Sequence, residues 1–237
     1  MRFRVLACDF DGTIATEGVV APATLAALER VRATGRRLLL VTGRTGPQLE
    51  AVFGRWVLFD RIVLENGAVL VNPASGAECL LCAPVSIRLV EELRRREVEP
   101  LAVGRAVCAA SVRHLDAIRE AIRDLGLPLH VVVNRGAAVV LPVGISKSSG
   151  TRAALQAVGE GVEVCVAIGD AENDLPMLAV AGCGVAVANA LEVVKVAADL
   201  VTSQPNGAGT AELAAWLVRD DLAGVPVTAG GTGAALR

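Results

Sequence analysis

The chain has 237 residues, a net charge of −2, 53% apolar residues and no tyrosine. That length suits one medium domain or one domain carrying a smaller insertion. There is no basic stripe and no aromatic–basic interleaving, which excludes a nucleic-acid groove, and no apolar run reaches the roughly 18 residues that a bilayer span needs. Met1-Arg2-Phe3-Arg4 leads straight into an apolar strand without the segment and cleavage site of a secretory signal, so a cytoplasmic protein with no nucleic-acid and no membrane partner is expected.

The apolar excess lies in short Ala, Val and Leu runs, as in strands buried on both faces of a parallel sheet. Residues 4–8 form the first such run. A helix is predicted over 23–33, opened by Pro22 and closed by Gly35, followed by a strand over 37–41 and a helix over 46–53. A third strand over 61–64 runs into Glu65-Asn66-Gly67, a tight-turn signal. A hairpin follows, with arms near Val69 and Leu80 around a turn at 72–76.

From Pro84 the order changes. The pattern predicts a helix over 85–96, a strand over 106–110 and a helix over 112–125. Strands over 129–133 and 137–141 then flank Asn134-Arg135-Gly136 as a short hairpin loop. This is a small open sheet with helices on one face, bracketed by Pro84 and Pro142. The first pattern resumes with helices over 148–158, 172–180, 191–197 and 210–219, and strands over 163–168, 184–187 and 200–201. The tail from about Leu222 is rich in Gly, Ala and Thr, has no periodicity, and is expected to be disordered. The fold class is α/β: a doubly wound parallel sheet over 1–83 and 142–221, with an inserted α+β unit over 84–141.

Six cysteines raise the question of metal or disulfide chemistry. Cys79 and Cys82 have CxxC spacing, but in a strand-like segment an offset of three puts their side chains on opposite faces. No second pair follows and His114 and His130 are far apart in sequence, so no zinc site is expected; the cysteines read as small, reduced core residues. The cluster Arg94-Arg95-Arg96, bracketed by Glu91, Glu92 and Glu97, reads as a solvated helix face held by i,i+4 pairs.

Chemistry concentrates where core strands end. Asp9-Phe10-Asp11-Gly12-Thr13 follows the first strand, and carboxylates at i and i+2 on an extended backbone share a side. Such a pair can divide labour between attack or metal binding and proton transfer, although Asp and Gly also mark plain strand-ending turns. Thr42-Gly43-Arg44 follows the second strand and offers a hydroxyl and turn amides to an oxyanion, or a helix N-cap. Lys147, one of only two lysines among 23 basic residues, opens the helix after the insertion; its compact ammonium suits a phosphate oxygen. Gly169-Asp170-Ala171-Glu172-Asn173-Asp174 follows the strand at 163–168 with the oxygen density a hard cation needs. There Asp170 and Asp174 fall on one side if a helix begins between them, and Glu172 serves the helix dipole.

Taken in order, DFDGT (9–13), VTGR (41–44), Lys147 and GDAEND (169–174) resemble the haloacid-dehalogenase-like phosphohydrolases, specifically the subfamily whose cap lies between the second and third motifs. Glu65-Asn66-Gly67-Ala68 and residues 185–190 are similar to that subfamily too. The resemblance implies that Asp9 is the nucleophile, forming an aspartyl-phosphate, and that Asp11 is the general acid–base. It implies that Thr42 and Lys147 hold phosphoryl oxygens, aided by amides near Gly12 and Gly43. Mg²⁺ would be held by Asp9, by the backbone carbonyl of Asp11 and by Asp170, with Asn173 or Asp174 completing the shell. Dehalogenases of the superfamily lack the second Asp, so Asp11 points to phosphoester chemistry. Ser148-Ser149-Gly150 follows Lys147 where members often carry a Gly at once.

The implied substrate is a small phosphorylated metabolite, with the insertion closing over it as in compact-capped phosphoglycolate and sugar-phosphate phosphatases. Arg135, in the hairpin loop, is a candidate to meet a substrate carboxylate or is a plain exposed turn residue, and Arg44 is a similar candidate. Phosphoryl transfer to a sugar acceptor remains an alternative. So does phosphate binding without turnover, against which the intact Asp9, Asp11, Lys147 and Asp170 speak.

Overall fold

The computed structural model describes residues 1–134 and 136–223. Arg135 and most of the tail expected to be disordered (224–237) lie outside the described residues, whereas Leu222 packs against the core. In chain order the larger unit begins with β1 (Val5–Asp9), α1 (Pro22–Ala33), β2 (Arg37–Val41), α2 (Gly46–Glu50), β3 (Arg61–Leu64), β4 (Val69–Asn72) and β5 (Ala77–Leu80). A smaller unit follows: α3 (Ile87–Arg95), β6 (Ala102–Val103), β7 (Cys108–Ser111), α4 (Leu115–Asp124), β8 (Leu129–Asn134) and β9 (Ala137–Pro142). The chain then returns with α5 (Lys147–Ala157), β10 (Cys165–Gly169), α6 (Leu175–Val180), β11 (Cys183–Ala186), α7 (Glu192–Ala197), β12 (Leu200–Val201) and α8 (Asn206–Asp220).

The large sheet has the order β12-β11-β10-β1-β2-β3-β4-β5. Its first six strands are parallel, and β4 and β5 add an antiparallel edge hairpin. All five residues of β1 are buried, which requires cover on both faces. Helix α1 packs on α8, and α5 on α6. Order reverses at β1: the chain builds outward through β2 and β3, and later in the opposite direction through β10, β11 and β12. The switch point therefore lies at the carboxyl ends of β1, β2 and β10, where such sheets bind ligands.

The small sheet, β6-β7-β9-β8, is antiparallel throughout. Its period-two alternation gives it two different faces. Cys108, Ala110, Ala138 and Val140 face Leu89 and Leu93 of α3 and Ile118 and Ala121 of α4, forming a separate buried cluster. Ala109, Val132, Ala137, Val139 and Leu141 pack instead against the main core. The bare face of the small sheet is thus turned toward the large unit, and β8 lies beside the turn at 172–174.

Several expected elements are reshaped by tertiary contacts. The helix expected over 46–53 stops at Glu50, because Phe53 turns into the core with its ring 5.6 Å from Phe10 and 6.1 Å from Phe59. The helix expected over 172–180 begins as a 3-10 turn, Glu172–Asp174, before α6. The last helix starts four residues early, at Asn206, whose N–H donates to Asn189 Oδ1 at 2.6 Å. Cys79 is exposed on β5 and Cys82 lies just beyond it; all six cysteines are unpaired.

Candidate active site

The apolar strand β1 delivers Asp9 to the switch point with only 4% of its surface exposed. The chain leaves extended geometry at once: Phe10 O accepts the N–H groups of Thr13, Ile14 and Ala15. Both Asp9 and Asp11 act electrostatically on Arg44, which they raise. Asp11 is half-exposed and paired elsewhere. At Gly12, φ is +81°, the N–H donates to Ala15 O at 2.9 Å, and the carbonyl accepts from Asn189 Nδ2 at 2.9 Å. That amide is therefore engaged within the turn.

Lys147 is the first residue of α5, set by a reciprocal cap between Ser146 and Ser149. The departure after Lys147 leaves the helix start intact, because the close approach falls at Gly150. A Cβ on Gly150 would lie 2.6 Å from Gly67 Cα, and one on Gly67 would lie 1.9 Å from Ser146 O. These two glycines seat the start of α5 against the turn after β3. The ammonium reaches into the sheet edge, donating to Asp9 Oδ1 at 2.5 Å and to Asp174 Oδ1 at 2.6 Å.

Asp170 and Asp174 do not line one helix face. Asp174 folds back over the strand end, and its Oδ2 accepts the N–H groups of Asp170 and Ala171, each at 3.0 Å. Gly169 permits this, since a Cβ there would lie 2.5 Å from Asp174 Cγ. Asp170 is buried and its Oδ1 accepts from Thr13 Oγ1 at 3.4 Å. Ligand oxygens of Asp9, Asp170 and Asp174 lie within 4.8 Å of one another. Glu172 lies in the 3-10 turn with its side chain outside this group.

Two buried carboxylates, Asp9 and Asp174, thus hold one ammonium, and that of Asp170 lies beside them. Burial pushes the Asp9 carboxyl up to about 7 and Asp174 adds to the rise, against the lowering by Lys147 and the Phe10 N–H. Burial alone would lower the Lys147 ammonium, but Asp174 and Asp9 outweigh it and hold it above its ordinary value. The excess negative charge fits a cation. A further fit lies in Asn173. Its Nδ2 donates to Asn66 Oδ1 at 2.9 Å, while its Oδ1 is buried and accepts no hydrogen bond from the described residues. A buried carbonyl oxygen beside carboxylates is a ligand type that Mg²⁺ accepts.

Thr42 is buried at the end of β2. Its N–H donates to Val63 O, and its Oγ1 accepts from Arg44 N at 3.1 Å, leaving the hydroxyl proton to point elsewhere. Gly43 lies against the Asn66 side chain. Arg44 is engaged by Asp11 in a two-pronged pair, Nε to Oδ2 and Nη2 to Oδ1, both 2.7 Å, with its Cζ 5.4 Å from the Phe10 ring centroid. Hydrogen bonding by Asp11 raises the Arg44 guanidinium further above its ordinary value. The substrate-binding candidate Arg44 is therefore tied to the acid–base candidate Asp11.

Sequence reasoning assigned no part to Asn66 or Asn189, which orient Asn173 and the Gly12 turn. Their signals are position, Asn66 in a tight turn after β3 and Asn189 just after β11, and the likeness of both segments to the subfamily.

A doubly wound sheet that gathers a buried carboxylate cluster and a lysine at its switch point defines an α/β protein built to hold a charged ligand at its strand ends. The family model described as haloacid dehalogenase-like hydrolase matches residues 6–96 and 138–213, and the chain belongs to that family. It is 28% identical over 228 residues to a phosphoglycolate phosphatase of Methanosarcina acetivorans, covering 92% of this chain and 97% of the relative. It is 32% identical over 221 residues to a phosphoglycolate phosphatase of Halorubrum lacusprofundi, covering 90% and 96%. Among solved structures, a subclass IIB sugar phosphatase of the superfamily superposes with a TM-score of 0.69 at 21% identity, covering 84% of this chain and 93% of the other.

Proposed function

We propose that the protein is a Mg²⁺-dependent phosphomonoesterase acting on a small phosphorylated metabolite of the phosphoglycolate or phosphosugar kind. The observation that carries this reading is the buried Asp9–Asp170–Asp174 cluster with Lys147 inside it. The near full-length similarity to proteins named phosphoglycolate phosphatase supports the substrate class. Residues 1–83 and 142–221 form the catalytic core in this reading, and residues 84–141 a cap whose bare sheet face closes over the substrate and excludes water. The unpaired cysteines agree with a cytoplasmic location.

Asp9 Oδ attacks phosphorus as the bond to the leaving oxygen breaks, and Asp11 gives its proton to the departing alcohol. Asp11 then takes a proton from water, which attacks the aspartyl-phosphate, releases phosphate and restores Asp9. Lys147 and the Thr42 hydroxyl bind phosphoryl oxygens, and Lys147 also opposes the rise of the Asp9 carboxyl that burial and Asp174 cause. Asp9, Asp170 and the Asp11 carbonyl would hold Mg²⁺, with Asn173 and Asp174 supporting the shell. Bound there, Mg²⁺ would offset the charge that an anionic nucleophile and a phosphate dianion bring together. Arg44 must exchange its hold on Asp11 as the proton moves.

Phosphate release from p-nitrophenyl phosphate by the purified protein, with and without Mg²⁺, tests the reading. Wild type should turn over only with the ion, and Asp9→Asn should be inactive. An Asp9→Asn variant with wild-type turnover overturns it.

A further inference from the structure

Glu65, Asn66 and Gly67 follow one another with φ of +53°, +55° and +108°. A left-handed conformation is strained for Glu, whose Cβ crowds the following carbonyl, so something must hold it. The two sides of this turn are tied to different units. On one side, the Glu65 N–H donates to Arg44 O and the Asn66 N–H to Thr42 O, each at 3.0 Å, and the Asn66 side chain holds Asn173. On the other, the Glu65 carboxylate, 2% exposed, leaves the large unit altogether. Oε1 accepts from Arg105 N at 2.9 Å, and Oε2 accepts from Ala106 N at 2.9 Å and Val107 N at 3.2 Å. All three amides belong to the loop between β6 and β7. Gly104 makes room for the carboxylate, since a Cβ there would lie 2.6 Å from it.

Charge-assisted bonds to three amides are the strong tie at this seam. The neighbouring ion pair between Arg105 and Glu78 is exposed and contributes little. A groove of about 280 Å³, lined in part by Leu64, Val103 and Gly104, runs beside the tie, so apolar packing does not fill the seam there.

We propose that Glu65 is a positioning residue for the reaction: its carboxylate latches the 104–107 loop of the cap onto the core, and the same turn transmits that docking through Asn66 to Thr42, Arg44 and Asn173. Glu65 touches neither phosphate nor cation. It acts by fixing, in one strained turn, the cap loop and the two strand-end segments that Asn66 touches. The inference rests on the phosphatase reading for its effect on rate, but the latch itself is a property of the fold.

The test compares Glu65→Ala, Glu65→Gln and Gly104→Ala with wild type by steady-state kinetics on p-nitrophenyl phosphate and on hexose phosphates. Amide hydrogen exchange is followed in parallel. Glu65→Ala should lower kcat/KM by about tenfold to a hundredfold, the scale of a small misplacement of catalytic groups. It should also raise exchange at residues 105–107 selectively. Glu65→Gln keeps one acceptor oxygen and should fall between. Gly104→Ala, which displaces the carboxylate from the other side, should reproduce the Ala variant, and the double variant should be no worse than either single one.

Unchanged exchange at 105–107, exchange raised evenly over the whole chain, or additive losses in the double variant would each overturn the latch. If Glu65→Ala does not fold, Glu65→Gln and Gly104→Ala carry the same comparison. An inactive wild type would sink the phosphatase reading alone, because the exchange pattern at 105–107 is read without turnover.

Discussion

Two carboxylate–cation contacts stand side by side at the end of β1 and differ in kind. Asp11 and Arg44 form a balanced, two-pronged pair, partly exposed at 42% and 26% of their side-chain surfaces. Lys147 sits 2% exposed among Asp9, Asp170 and Asp174, one positive charge against three carboxylates. A balanced pair at the surface is complete as it stands, and water screens its opening. An unbalanced cluster out of water is incomplete, and something positive must join it. In the proposed reaction the first pair serves a proton carrier and the second a cation-holding nucleophile. Burial and charge count separate them.

Removing the lysine should break this contrast most severely. Lys147→Ala strands Asp9 and Asp174 without their ammonium, and should cost about 3–5 kcal/mol of stability as well as about 10³-fold in turnover. Its melting temperature should recover more on adding Mg²⁺ than wild type gains, as thermal denaturation with and without the ion would reveal.

Arg44→Lys probes the balanced pair. Lysine cannot keep both prongs on Asp11, so turnover should fall about tenfold while stability changes by less than about 1 kcal/mol. A stability loss as large as that of Lys147→Ala would erase the distinction between the two contacts.

The smallest effect on turnover calibrates both. Asp221 and Arg36 make a second balanced pair, remote from the strand ends, at 2.8 Å, and Asp221 also accepts the Arg2 and Phe3 N–H groups. Burial would raise the Asp221 carboxyl, but Arg36 and the two amides outweigh it and hold it below 3.8. A carboxyl lowered in the folded state stabilises above its unfolded value and loses that contribution as pH falls through the folded one. Asp221→Asn should therefore cost about 1–3 kcal/mol at pH 7, with turnover unchanged. Urea titrations should show that deficit shrinking toward zero below pH 3.8. A deficit that persists in acid would mean the carboxylate charge is not what Arg36 uses.

Much of this was legible in the chain because it is written locally. The strands at Arg37–Val41 and Arg61–Leu64 are apolar runs with clear punctuation, and the structure keeps both sets of ends. Asp9, Thr42, Lys147 and Asp170 were identifiable because each follows or opens a predicted element. What was not legible is decided by distant partners. Asp174 was read as helical spacing, but its carboxylate is claimed by the amides of Asp170 and Ala171. β6 is two residues long and exists through its pairing with β7. Glu65 looked like a turn residue, and its three partners lie some forty positions away. Arg44 looked free for substrate until the fold brought Asp11 to it. Local pattern marks where chemistry can sit; which groups meet depends on topology.

Every step of the proposed reaction depends on Asp9 taking the phosphoryl group. An Asp11→Asn variant with Mg²⁺ and p-nitrophenyl phosphate isolates that step, because this leaving group needs no proton while the second step still needs its base. Rapid acid quench and peptide mass spectrometry should find one phosphoryl group on the peptide containing Asp9 and none elsewhere. Phosphate released without a covalent adduct, or an adduct on another residue, would contradict the assignment.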